Sequence, residues 1–173
     1  MRIKKSAYGV SFLVLLFLSL IATASTAGTT AQAGARSQQL TVYIDGLRTE
    51  TGAATLTADE LEWYEGAAAD AEFTRQEPDA AAELGGAPDG YYIVNDFEQL
   101  AQYPIADDCK VVMQIYDHTG NPEDLDIQWN EEISLQKFGE LYHNTSVLNL
   151  GDFPYHLTIE DGQVVKIVQQ YIP

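Results

Sequence analysis

The stretch ADDCKVVMQIY, residues 106–116, holds the chain's single cysteine, Cys109, behind Asp107 and Asp108. A thiol acts as a nucleophile or a metal ligand only as the thiolate, which needs a cation or an imidazole beside it to lower its pKa. Strand alternation puts Cys109 on one face with Val111, Met113 and Ile115, and the two carboxylates before it push its pKa the wrong way. The three histidines bring no help. His118 falls in a polar loop and His143 at a helix end, while His156 alternates with Tyr155 and Leu157 and so faces away from the apolar side of its strand. Cys109 is therefore expected to be a buried core side chain. A zinc site, which wants Cys and His at short spacing, is not supplied.

Carboxylates offer two other chemistries. The loop DHTGNPEDLDIQWNEE gathers Asp117, Asn121, Glu123, Asp124 and Asp126, which makes divalent cations candidate partners. The calcium-loop pattern requires glycine at its sixth position, and counting from Asp117 or from Asp124 reaches Pro122 or Trp129 instead. A solvated acidic loop is the preferred reading. Glycoside cleavage needs one carboxyl group raised by an apolar setting, and no pair is singled out that way. No G-x-S-x-G, phosphate-binding glycine loop or dinucleotide fingerprint is present. The sequence thus nominates no catalytic, cofactor-binding or metal residue. Aromatic side chains remain: Tyr43, Tyr92 and either Trp63 or Tyr64 can face outward from strands, where flat rings stack on sugars or dock a partner, although rings covering the rim of the core are the preferred reading.

The N-terminus places these groups. Arg2, Lys4 and Lys5 precede an apolar run from Val10 to Ile21, and small-x-small sites follow at Ala22–Ala24, Ser25–Ala27 and Ala31–Ala33. That order reads as a secretory signal peptide over residues 1–27, with cleavage between 24 and 33, rather than as a spanning anchor. A polar spacer, 28–39, would lead into one globular domain, 40–173, long enough for a real core. Signal removal leaves six of nine basic residues against 26 acidic ones and takes the formal charge from −17 to −20. Such a surface repels nucleic acid and anionic lipid, so neither is expected as a partner once the signal is gone. One cysteine makes no internal disulfide, so packing must hold the fold.

Within the domain, LTVYID alternates as a strand, and residues 46–54 read as a turn. Residues 55–64 read as a strand with Thr57, Asp59, Leu61 and Trp63 on one face, although Thr57-x-x-Glu60 also fits a capping box. Gly66 then opens an alanine-rich helix to about Arg75, and Glu77–Gly90 is a loop by its Pro and Gly content. YYIVN and LAQYPI are short strands, Ala106–Asp108 a turn and CKVVMQIY a further strand. Ser134 caps a helix whose apolar face is Leu135, Phe138, Leu141 and Tyr142. The C-terminal hairpin is predicted with a three-residue loop, Glu160–Gly162. Tyr155, Leu157 and Ile159 then share one apolar face with Val165, Ile167 and Tyr171. The fold class that follows is mainly β (α+β), a small antiparallel curved sheet or partly open barrel of about six strands with two short helices.

The succession LEWYEGAAADAE, DGYYIVND, YPIADDCKVVMQIY and PYHLTIEDGQVVKIVQQYIP resembles a group of small secreted proteins of Gram-positive bacteria. Its Trp-x-x-Gly-x-x-Ala step is Trp63, Gly66 and Ala69 here, and the resemblance runs from about residue 56 onward. The group has no assigned activity, so the resemblance implies a secreted bacterial domain and carries over no catalytic residue. The expected function is a non-enzymatic exported domain, secreted or associated with the cell wall, that binds or scaffolds outside the cell, with an extracellular protein or polysaccharide as its partner. A carbohydrate or wall-polymer binding module using outward aromatics is one alternative. A secreted hydrolase using carboxylates is the other, and a cleft lined by two carboxylates and aromatics would favour it.

Overall fold

The computed structural model describes residues 37–50 and 52–173. The expected signal peptide lies outside the described residues, as does the expected spacer up to residue 36. Residues 37–39, expected to be spacer, instead start the first strand and pair with Glu160, Ile159 and Thr158.

Seven strands and three α-helices make up the described chain. In order they are β1 (Ser37–Glu50), β2 (Ala53–Glu65), α1 (Ala67–Gln76), α2 (Pro78–Leu84), β3 (Tyr91–Val94), β4 (Leu100–Met113), β5 (Glu131–Ile133), α3 (Leu135–Tyr142), β6 (Pro154–Glu160) and β7 (Gln163–Gln169). The sheet order is β3-β2-β1-β6-β7-β4-β5, and an additional β2–β4 pairing closes β1, β2, β4, β7 and β6 into a five-stranded barrel. The meander β1-β2-β4, with β6 returning beside β1, is a Greek key. OB-folds belong among five-stranded Greek-key barrels, and the fold alone names no ligand. The core is filled by Tyr155, Phe138, Leu56, Met113, Leu157 and Ile167, each less than 2 % exposed. Burying side chains of this size stabilises the fold by about 1.5–3 kcal/mol each before entropy is counted.

Closure explains where the elements outrun the sequence pattern. The turn expected over residues 46–54 is strand almost throughout, because β1 carries Asp45 as a bulge between Ile44 and Gly46 and then pairs on to Ala53. The turn expected at Ala106–Asp108 is likewise part of one long bent strand. Pairing of β4 shifts register between Ile105 and Lys110, which hands the strand from β2 to β7 without reversing it. That β4–β7 pair is parallel, while the other pairings among the described residues are antiparallel, in keeping with a mostly antiparallel sheet. PDAAAEL forms the helix α2 where a loop was expected. Pro78 sits in its first turn and Gly85, at φ 80°, ends it, so the residues read as loop punctuation are the start and stop of a helix.

The strand-then-helix reading of β2 and α1 agrees with the structure, and Ser134 Oγ accepts from Lys137 N–H at 3.1 Å to cap α3. The hairpin register differs. Glu160 pairs with Gln163 across a two-residue turn in which Asp161 (φ 49°) and Gly162 (φ 83°) take the left-handed region. A bulge at Val165 then shifts β7 by one residue, so Leu157 faces Ile167 while Lys166 faces Thr158. One apolar face is kept, by Val164 and Ile167 rather than by Val165 and Tyr171.

Candidate functional site

β2 runs past the barrel. Its last residues, Glu62–Glu65, pair with β3, which returns from the α1–α2 excursion. Gly66 N–H donates to Gly90 O at 2.9 Å and ties the two ends of that excursion together. Gly66 (φ 54°) and Gly90 (φ 73°) both adopt backbone that a side chain would strain. Trp63 and Tyr91 stand on the same face of this two-stranded arm and stack with ring centres 4.7 Å apart and planes 11° from parallel.

Beside this stack lies an open cleft of about 520 Å³, lined by Trp63, Glu65, Asp89, Tyr91, Gln170 and Tyr171 among others. It falls within the size range of small-ligand sites. His156 meets the Trp63 ring edge-on at 5.8 Å. Both its ring nitrogens are engaged, Nδ1 with Thr41 Oγ1 at 3.0 Å and Nε2 with Gln170 Oε1 at 3.1 Å. His156 thus holds the segment after β7, whose Gln170 N–H also donates to Pro154 O at 2.8 Å. Tyr171 follows at the rim, with Trp129 edge-on to it at 5.9 Å and 65 % exposed.

The electrostatics of the cleft are one-sided. Glu65 and Asp89 are exposed on its rim, and among the described residues no basic side chain lines it. Glu65 Oε1 accepts from Trp63 Nε1–H at 2.8 Å. Burial, with the Asp89 carboxylate adding to it, holds the Tyr91 phenol above its ordinary pKa, and burial does the same to Tyr43 with Tyr91 beside it. These rings stay neutral hydrogen-bond donors through any physiological pH.

The remaining sequence candidates are placed as follows. Cys109 is 7 % exposed in the core, and burial, then Asp108, pushes its thiol up to about 12. His118 stacks on Tyr116 at 3.9 Å, and both reach Glu131, at 3.0 and 2.5 Å. His143 caps the C-terminus of α3. In the acidic loop, Asp117 Oδ1 accepts from Thr119 N–H and Gly120 N–H, and Asp124 accepts from Thr119 and Asn121, so these carboxylates shape turns. Among the described residues no three His, Cys, Asp or Glu side chains gather closely enough to hold a metal ion.

Of the expected outward aromatics, Trp63 lies in the cleft. Tyr43 and Tyr92 line a separate hollow of about 400 Å³, and Tyr64 lies on the opposite face of β2, bonded to Glu62. Tyr91 and Tyr171 were not anticipated in the cleft. The signal for Tyr91 was present in the pairing of LEWYE with YYIV, which sets Glu65 opposite Tyr91. No signal marked Tyr171, because its place depends on the strand shift at Val165. No family model, curated protein or solved structure matches the chain.

Proposed function

We propose that this chain is an exported, non-enzymatic binding domain that takes a cell-wall or extracellular polysaccharide in the cleft beside Trp63 and Tyr91. The stacked pair carries the reading: the two rings are fixed by strand pairing and by each other, so the ring surface they leave open to the cleft is apolar and pre-ordered, with hydrogen-bonding groups around it. That is how a sugar ring, with its apolar faces and polar rim, is held. Pre-ordering matters because little side-chain freedom is lost on binding. The likeness of the sequence to small secreted Gram-positive proteins, and the signal-like N-terminus, support the location outside the cell.

A hydrolase reading has one observation in its favour, since Glu65 and Asp89 put two carboxylates and aromatics in a single cleft. Its chemistry needs one of them to be a protonated acid at working pH. Both are exposed to water, and neither sits in the apolar setting that would keep a carboxyl group protonated. Binding without cleavage is the better account.

The test is retention of the purified protein on insoluble wall polysaccharide. Wild type should be retained, while Trp63→Ala and Tyr171→Ala, each checked for native circular dichroism, should wash through. Retention of wild type by no polysaccharide overturns the proposal. Release of reducing ends that disappears in Glu65→Gln would favour the hydrolase instead.

A further inference from the structure

Among the described residues, every charged side chain lining the aromatic cleft is negative. Glu65 flanks Trp63 and is bonded to its indole N–H, and Asp89 lies two residues before Tyr91. The ring faces add to the same field, because an aromatic quadrupole presents negative charge above and below its plane. A neutral sugar could donate hydroxyl hydrogen bonds to the two carboxylates but would leave their negative charge uncompensated. An anionic sugar would be repelled by them. A sugar bearing an ammonium group satisfies both features at once, with its carbon face against the ring surface left open by the stack and its charge beside Glu65 and Asp89.

We infer that the cleft selects a cationic amino sugar, a saccharide unit with a free amine, over its N-acetylated or acidic counterparts. This rests on the saccharide reading of the same cleft and adds the charge of its ligand. Trp63 holds Glu65 in place through the indole hydrogen bond, so the residue that stacks on the sugar also orients the carboxylate that meets its amine. The net charge of the whole chain attracts cations to the surface without direction; the cleft carboxylates supply the direction.

The experiment is calorimetric titration of the protein with a glucosamine tetrasaccharide and, separately, with the fully N-acetylated tetrasaccharide. The free-amine form should bind at least about tenfold more tightly, a difference of about 1.4 kcal/mol. That ratio should fall towards one in Glu65→Gln combined with Asp89→Asn. A control variant, Glu123→Gln with Glu140→Gln, removes the same charge from positions that do not line the cleft and should keep the ratio. Equal binding of the two sugars by wild type overturns the inference while leaving the saccharide reading standing. An equal loss of preference in the control also overturns it, since the selection would then belong to the general field. Binding of neither sugar, nor of any wall polysaccharide, overturns both.

Discussion

The side-chain carbonyl of Gln169 accepts a hydrogen bond from the main-chain N–H of Gln114 at 2.8 Å, 55 residues away in sequence, and a second from Ile115 N–H at 2.9 Å. β4 and β7 pair only as far as Val112 and Val168, so the next amides of the departing chain would be left in the interior without partners. Gln169, 1 % exposed, extends the ladder with its side chain. Gln114 in turn uses its own amide carbonyl to accept from Asn130 N–H at 2.9 Å, where φ is 61°, and so fixes the end of the long polar loop. One glutamine thereby seals the barrel end from which that loop departs.

Gln169→Leu keeps the volume and removes the acceptor. The buried Gln114 N–H loses its partner, at about 1–3 kcal/mol, and the half-buried Ile115 N–H loses its own at a smaller cost. Gln169 Nε2 is buried beside the Tyr155 hydroxyl with no close hydrogen-bond acceptor among the described residues, so its removal returns part of that cost. The net expectation is a loss of about 2–3 kcal/mol in urea unfolding, together with faster hydrogen exchange at Gln114 and Ile115. Unchanged exchange at those two amides would refute the role.

The buried Cys109 thiol and Tyr116 phenol, with the half-buried Tyr103 phenol, make stability fall on the alkaline side. Cys109 is pushed up to about 12 by burial and then Asp108. Tyr103 and Tyr116 are each raised to about 12 by burial and by hydrogen bonds to Glu60 and Glu131. In the unfolded chain these groups lose their protons from about pH 8.5 for the thiol and about pH 10 for the phenols. Between those values and about 12 the folded state holds more protons, so stability is complete below the unfolded pKa values and declines as pH rises above them. Urea midpoints measured from pH 7 to 11 should stay flat to about pH 8.5 and then decline. Native protein should also resist a thiol reagent at pH 8 and react once unfolded. Rapid labelling of the folded protein would contradict the burial of Cys109.

What the sequence made legible was local. Alternation and propensity marked β2 and α1 correctly, and Ser134 declared its helix. Residues that bend or stop a chain were ambiguous, because the same chemistry serves several ends. Pro78 and Gly85 bound a helix as well as they bound a loop, and Asp107–Asp108 mark a bulge in a continuous strand as well as a turn. The choice is made by barrel closure, which depends on pairings between distant segments such as Ile105 with Val164. The cleft was half legible for the same reason. Trp63 could be read from its strand, whereas Tyr171 reaches the site only because β7 shifts by one residue and Gln170 is held by His156.

Tyr142 tests how the helix α3 is fixed to the barrel. Its hydroxyl donates to Ile44 O at 2.6 Å, next to the Asp45 bulge where β1 loses its regular ladder partner. Tyr142→Phe keeps the ring packing against Phe138 and deletes only this bond. It should cost about 1–2 kcal/mol. Phe138→Ala, which empties a fully buried site, should cost about 3–5 kcal/mol. A Tyr142→Phe variant as stable as wild type would mean that water satisfies Ile44 O and the bulge needs no clasp.

The acidic loop gives a metal prediction with a defined sign. Asp117 and Asp124 already accept hydrogen bonds from the loop's own backbone and side chains, and Asp126 Oδ1 accepts from Ile127 N–H. A cation would have to displace those donors, so binding would raise stability only where it outweighs the turns it breaks. The expected outcome is a melting temperature unmoved by millimolar calcium or by a chelator. Asp117→Ala should lower it without any metal present, because Thr119 and Gly120 lose their acceptor, at a cost of about 1 kcal/mol for an exposed turn. A rise in melting temperature with calcium that vanishes in Asp117→Ala would reverse the assignment and make the loop a metal site.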